Sequence, residues 1–343
     1  RVYDWNGSAW TQIGSDIDGE AAGDQSGHSI SMTASGDRLV IGAYLNDSNG
    51  SDAGHVRVYD WNGSAWTQVG PDIDYELYSY SSMWFGYSVS INDDGSRILV
   101  GSWPNKQSRW GRASLYTWNG SAWERQFEFN SRANGGMGEL MVSAMNATGT
   151  RFLGVSNQID YQVRDWYGTK QIIPKSGPMS KVFTQVGSRI KRIFGGMLFH
   201  NSNNNISLAI NASGSRIALG TSIIHDATNS GKVRIFDWNG KDWIQIGSDI
   251  EGEKINDRFG YSIALNDFGN RLTIAAIHND GNGTNSGHVR TYDLGNPMMQ
   301  DAIPPHILST AITSDNSALA VTLNEAVFNT KEGNGTLEVS DFA

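Results

Sequence analysis

The stretch Arg1-Val-Tyr-Asp-Trp-Asn-Gly-Ser-Ala-Trp-Thr-Gln-Ile-Gly returns from Arg57 as Arg-Val-Tyr-Asp-Trp-Asn-Gly-Ser-Ala-Trp-Thr-Gln-Val-Gly, an offset of 56 (57 − 1). Near-identity over such a length means that one structural unit is copied along the chain, each copy covering the apolar face of its neighbour. Further copies start at Ser114 and Arg234, with a degraded one around Arg164-Asp-Trp166. A last copy, Arg290-Thr-Tyr-Asp-Leu, lies 56 (290 − 234) beyond Arg234.

One unit contains four short segments of strand character. From Ser88 these are Ser-Val-Ser-Ile, Arg97-Ile-Leu-Val-Gly, Ala113-Ser-Leu-Tyr-Thr-Trp and Trp123-Glu-Arg-Gln-Phe, each dominated by β-branched, apolar and aromatic residues. Four strands per repeat make a blade, so the fold class is all-β, a β-propeller of four-stranded blades. The first two strands are joined by Asn92-Asp-Asp-Gly-Ser and its equivalents from Thr33, Asn211 and Asn266, each with a glycine where a tight hairpin needs positive φ. Strands three and four are joined by Trp-Asn-Gly-Ser-Ala-Trp, whose Asn-Gly is a strong hairpin signal. These near-constant turns share one face of the disc and read as architectural. The longer, variable connections share the opposite face, where a rigid scaffold carries binding loops.

Composition removes whole classes of function. With 26 basic against 35 acidic residues the formal charge is −9, the wrong sign for a nucleic acid or an anionic membrane surface. The chain has no cysteine, which excludes disulfides, thiolate catalysis and cysteine-bound metals. No apolar run is long enough to span a membrane. Forty glycines and twelve each of Trp, Tyr and Phe suit many short strands joined by tight turns.

Phe85-Gly86 and Phe259-Gly260 before strand one, with Gly42-Ala43 or Gly101-Ser102 after strand two, resemble the FG-GAP repeat of integrin alpha subunits. The phrase Gly-His-Val-Arg-Val-Tyr-Asp-Trp-Asn-Gly-Ser-Ala-Trp-Thr-Gln is similar to repeats in large secreted and surface proteins of marine microbes and algae. The resemblance covers residues 1–296 and implies a propeller that commonly has seven blades. Strands three and four at the start, four full units and three final strands leave that ring incomplete; closure with five or six blades is the alternative. The chain begins inside a repeat and so reads as part of a longer polypeptide. The family's calcium loop, Asp-x-Asp-x-Asp-Gly between strands one and two, is replaced here by Asn92-Asp-Asp-Gly-Ser or shorter, too few oxygen ligands for calcium. After a linker at 297–305, residues 306–343 resemble the opening strands of a bacterial Ig-like β-sandwich, too few to bury their own face. Those strands imply self-assembly or a continuing chain.

Several clusters are candidate sites. Asp16, Asp18, Glu20 and Asp24, and likewise Asp249, Glu251, Glu253 and Asp257, place hard oxygen ligands at the blade junctions where calcium would bind, or else form solvated loops that cap backbone amides. Asn46 to Asp52 and Asn279 to Asn285 are second candidates of the same kind. Tyr75, Tyr78, Tyr80 and Trp84 on one long connection, with Trp103 and Trp110 on the next, offer flat faces for stacking a sugar or peptide, or pack among themselves. Repeat tryptophans such as Trp5, Trp10, Trp61, Trp66, Trp118 and Trp123 are expected between blades. A long irregular insertion over 167–205 carries Lys170, Lys175, Lys181, Arg189, Lys191 and Arg192 and is a candidate partner-docking element or an ordered flap. Sequons at Asn6, Asn49, Asn62, Asn119, Asn146, Asn211 and Asn282 would accept glycans in a eukaryotic secretory pathway. The seven histidines show no catalytic or metal spacing, so no catalytic residue is assigned. The expectation is a non-catalytic extracellular module of a larger surface or secreted protein, acting by adhesion or assembly on a cell-surface or matrix protein or glycan. A lectin-like module is the alternative, and a polysaccharide hydrolase or lyase a further one.

Overall fold

The computed structural model describes residues 1–75, 83–102, 112–130, 140–156, 160–166, 183–188, 190–191, 206–222, 230–297, 307–312 and 319–323. They contain strands and turns and no helix, and hence no helix long and apolar enough to cross a membrane. The chain divides into two units, Arg1–Gln300 and Asp301–Ala343.

The first unit starts with a hairpin of β1 (Tyr3–Trp5) and β2 (Trp10–Gln12). Four antiparallel blades follow, each meandering in chain order. The first contains β3 (Ser29–Met32), β4 (Arg38–Ala43), β5 (His55–Trp61) and β6 (Trp66–Gln68), with β7 (Ile73–Asp74) adding to β5 beyond β6. The second contains β8 (Phe85–Ile91), β9 (Arg97–Ser102), β10 (Arg112–Trp118) and β11 (Trp123–Asn130). The third contains β12 (Leu140–Met145), β13 (Arg151–Ser156), β14 (Asp160–Trp166) and β15 (Phe183–Gln185), with β16 (Ile190–Lys191) beside β14. The fourth contains β17 (Ile206–Ile210), β18 (Arg216–Thr221), β19 (Lys232–Trp238) and β20 (Trp243–Gln245), with β21 (Ile250–Glu251) beside β19. A fifth blade has three strands, β22 (Phe259–Leu265), β23 (Arg271–Ala276) and β24 (His288–Asp293). The second unit shows one hairpin, β25 (Ile307–Ile312) with β26 (Leu319–Leu323). Its described residues do not amount to an Ig-like sandwich.

Each blade lays its first strand on the first two strands of the blade before it. Phe85 and Phe259, both 1 % exposed, anchor these junctions, and the residues around them explain the repeat's wording. Gly86 has φ +85° inside a bulge of β8, and a Cβ there would lie 2.5 Å from the His55 carbonyl oxygen. A Cβ on Gly42 would come 2.1 Å from the Gly86 oxygen, and one on Gly231 2.0 Å from the Phe259 oxygen. Three backbones therefore meet where any side chain would separate the blades. Ser29 and Ser207 close the contact by donating their hydroxyls to Gly86 and Gly260.

Two further devices repeat at each junction. The arginine opening strand two donates to a carbonyl in the next blade's first turn: Arg38 to Gly95, Arg97 to Gly149, Arg151 to Gly214 and Arg216 to Gly269. Three of these arginines are held in register by a bidentate pair with the aspartate ending strand three, Asp60, Asp165 or Asp237. At the outer edge, the second tryptophan of each Trp-Asn-Gly hairpin donates Nε1 backward: Trp66 to Ile13, Trp123 to Val69 and Trp243 to Val186.

Two expectations are corrected. Trp5 and Trp10 are 50 % and 68 % exposed rather than inter-blade core, because among the described residues no blade lies on the outer side of their hairpin. The third blade also breaks the rule of short third-to-fourth connections. Its Trp166 pairs with Phe183, so the span expected as an irregular insertion supplies the blade's fourth strand and β16. Ile190, 7 % exposed, ties β16 into the blade by burial.

Candidate binding site

Strand one of the first, second and fifth blades enters from the variable-loop face through one tight turn. Gln25, Trp84 and Arg258 occupy equivalent positions two residues before the junction glycine, all in the left-handed region with φ of 56°, 49° and 54°. The carbonyl of each accepts the N–H three residues on, from His28, Tyr87 and Tyr261. Such a φ costs a non-glycine residue roughly 1 kcal/mol or more, and the blade junction on either side enforces it. The repeat fixes this backbone and leaves the side chain free to differ from blade to blade.

Between the first and second blades that freedom has produced an aromatic cluster. The His28 ring lies 4.5 Å from Tyr44 and 4.8 Å from Tyr87, Tyr44 meets Trp84 edge-on at 5.5 Å, and Trp84 stacks on Tyr87 at 6.5 Å. Tyr44, Trp84 and Tyr87 are half-buried and His28 is exposed. Burial pushes the Tyr87 hydroxyl up to about 12, with the Tyr44 and Tyr261 hydroxyls adding to the rise. Tyr44 is raised by burial, then by Asp52 and Tyr261. His28 is exposed as a whole residue, yet packing of its ring lowers its pKa below the ordinary imidazole value through desolvation. Both phenols, Tyr44 and Tyr87, and the imidazole are therefore neutral near pH 7, and the cluster is an uncharged surface with polar tips.

Of the stacking residues expected from the sequence, Trp84 stands in this cluster, while Tyr78, Tyr80, Trp103 and Trp110 lie outside the described residues. Tyr75 packs inward on Phe85 instead. Lys181, Arg189 and Arg192 also lie outside the described residues, and Lys191 is placed by its backbone alone, opposite Asp160. His28, Tyr44 and Tyr87 were not singled out by sequence. Their signal was available: Gly27-His28, Gly86-Tyr87 and Gly260-Tyr261 repeat one position after the junction glycine.

The acidic clusters are distributed rather than gathered. Asp16 accepts from Arg1 and Gln12, and Asp249 from Arg234 and Gln245; the arginine hydrogen bond is the main reason each pKa is lowered. Asp24 and Asp257 are buried caps, each accepting a nearby backbone N–H and the amide of Asn46 or Asn279. Glu251 pairs with Lys232 and Glu253 with Arg290, while Asp18 is exposed and its carbonyl accepts from Arg57. Asn46 and Asp47, like Asn279 and Asp280, turn their side-chain oxygens onto their own loop's N–H groups. The strand-one-to-two turns do not fit calcium either. Asp94 accepts from Ser96 and Asn92, and Asp37 accepts from Ser35 and Thr33, so their oxygens serve the turn itself. One group departs from this pattern: donor atoms of Glu20, His55 and Asp72 lie within 4.8 Å of one another.

A comparison with curated proteins finds no match. Among solved structures, the chain is similar to the β-propeller domain of Cps50 (Swd1) from Myceliophteria thermophila, at 13 % identity and a TM-score of 0.45, over 88 % of this chain and 80 % of that one. It is likewise similar to the periplasmic gluconolactonase PpgL of Pseudomonas aeruginosa, at 11 % identity and 0.45, over 85 % and 77 %. Residues 16–59, from the first acidic loop into β5, match the FG-GAP repeat, and the described strands form the antiparallel blades of an all-β propeller.

Proposed function

We propose that this propeller is a non-catalytic binding module of a secreted or cell-surface protein, and that it holds its partner on the variable-loop face by adhesion. The observation that carries this reading is the cluster of exposed His28 with half-buried Tyr44, Trp84 and Tyr87 where two blade entrances meet. It joins aromatic area to hydroxyl and imidazole groups without net charge, the composition of a contact surface. On the opposite face, Asn6, Asn62, Asn119 and Asn239 spend their side chains on their own hairpins, which leaves them little to offer a ligand. The junction glycines, serines and arginines of the repeat are engaged in closing blade junctions, which supports a structural role for them.

The same cluster favours a glycan as the partner, because sugar rings stack on Tyr and Trp faces while their hydroxyls reach the polar tips. An array of extracellular glycans and matrix proteins, probed with the purified chain, tests both readings. Retention without release of cleaved product, reduced about tenfold or more by Trp84→Ala, is the expected outcome. Turnover of a bound polysaccharide would contradict the non-catalytic reading, and retention unchanged in Trp84→Ala would remove the cluster from it.

A further inference from the structure

The carboxylates of this chain are handled by rule, and the first blade breaks the rule. In the half-blade before it and in the fourth blade, an arginine fifteen positions upstream clamps the aspartate of the trailing loop: Arg1 Nε on Asp16 at 2.9 Å and Arg234 Nε on Asp249 at 2.6 Å. Arg57 stands at the same spacing from Asp72 but turns away. Its Nη2 donates to the Asp18 carbonyl at 2.8 Å, its Nη1 faces Glu20 Oε1 at 3.8 Å, and its Nε has no partner among the described residues. Among the described residues Asp72 keeps only the Gln68 amide as a hydrogen-bond donor, on Oδ1.

Into the space so left points His55, the first residue of β5, 1 % exposed. Neither of its ring nitrogens has a hydrogen-bond partner among the described residues. Its Nδ1 lies 3.7 Å from Glu20 Oε2 and 3.8 Å from Asp72 Oδ2. Those separations are too long for hydrogen bonds. Two donors bound to one zinc-sized ion at about 2.0–2.1 Å are about 3.3–3.6 Å apart, so a shift of a few tenths of an ångström would bring the imidazole to that spacing from each carboxylate, and all three donor atoms already lie within 4.8 Å of one another. A buried imidazole left without a partner between two carboxylates is costly in an empty protein and ordinary in a metal site.

We propose that Glu20, His55 and Asp72 bind a divalent transition-metal ion of the zinc class. One imidazole nitrogen with two carboxylate oxygens suits zinc or a neighbouring first-row ion better than calcium or magnesium, which prefer all-oxygen shells. Glu20 and Asp72 are 38 % and 29 % exposed, which gives the ion an entry and a water its fourth position. The ion would tie the trailing loop before the first blade to the loop after it. The fifth blade contains the natural contrast. The offset that takes Glu20 to Glu253 also takes His55 to His288 and Arg57 to Arg290, but it takes Asp72 to Pro305. There Arg290 claims Glu253, and the offset places a proline, which offers no side-chain ligand, where Asp72 would stand.

The test uses the full chain, stripped with a chelator and titrated with zinc chloride against a chromogenic competitor. The absence of cysteine removes thiolate background. The structure predicts one tight ion per chain, affinity lowered about 10–100-fold or more by His55→Gln and by Asp72→Asn, and no change in His288→Gln. Asp72→Asn is isosteric at a partly exposed position and keeps the blade folded, as its circular dichroism would verify. No tight zinc site in the wild type, equal affinity in wild type and Asp72→Asn, or calcium held in preference to zinc would each overturn the proposal.

Discussion

Replacing Arg216 by alanine removes the latch between the fourth and fifth blades at its driest point. Arg216 and Asp237 have side chains 1 % exposed, with Nε to Oδ1 at 2.5 Å and Nη2 to Oδ2 at 2.7 Å. The same guanidinium donates at 2.7 Å to the carbonyls of Gly269 and Gly295. Truncation leaves a buried carboxylate without its counterion, a change that costs about 3–5 kcal/mol. The equivalent pair between the first and second blades, Arg38 with Asp60, is 18 % and 38 % exposed, so water replaces much of what is lost there and Arg38→Ala should cost about 1 kcal/mol. Urea unfolding, with midpoints compared at a common slope, measures both. The double variant Arg216→Met/Asp237→Leu removes both buried charges and should recover most of the loss, since the penalty lies in burying a carboxylate whose guanidinium has been removed more than in the missing bond. Equal costs for Arg216→Ala and Arg38→Ala, or no recovery in the double variant, would refute this reasoning.

Gly231→Ala places a methyl 2.0 Å from the Phe259 carbonyl at a position with φ +91°, so it should destabilise by about 3 kcal/mol or more in the same unfolding assay, whereas Gly63→Ala, with nothing within 4 Å, should cost only the strain of its own φ. The lowered pKa of His28 means that the unfolded chain takes up its proton first; the associated stability is complete above about pH 6.5, the unfolded value, and is lost as pH falls from there to the lower folded value. An NMR titration of His28 with a midpoint below 6.5, and a stability profile over that range flattened by His28→Phe, would verify it. Ser29→Ala deletes the hydroxyl donated to Gly86 and should cost about 1 kcal/mol, with loss of protection of the Tyr87 amide in hydrogen exchange.

The repeat made the blades legible because strand pattern, Asn-Gly hairpins and junction glycines all recur with the same period. The half-blade, four units and three final strands read from the sequence return as sheets of the first unit, with a short fifth strand added to three of the four units. Legibility fails where a position is defined by its neighbour in space. Trp5 and Trp10 carry the same sequence as Trp61 and Trp66, and only the structure says which pair has a blade beside it. Tyr44 and Tyr87 are 43 residues apart (87 − 44) and meet because consecutive blades align their entrances. Conversely, Asp16 and Asp249 resemble metal ligands in sequence until Arg1 and Arg234 are seen to occupy them.

The proposed binding of a partner on the variable-loop face is tested most directly by a comparison of two surface variants. Phe268, 77 % exposed in a constant-face turn, offers an apolar control for the mouth cluster. Binding of the wild type, Tyr44→Ala/Trp84→Ala and Phe268→Ser to the same immobilised glycan or matrix ligand should give about a tenfold or greater loss in the double variant and none in Phe268→Ser. Loss in Phe268→Ser with full binding in the double variant would put the recognition surface on the opposite face and contradict the account.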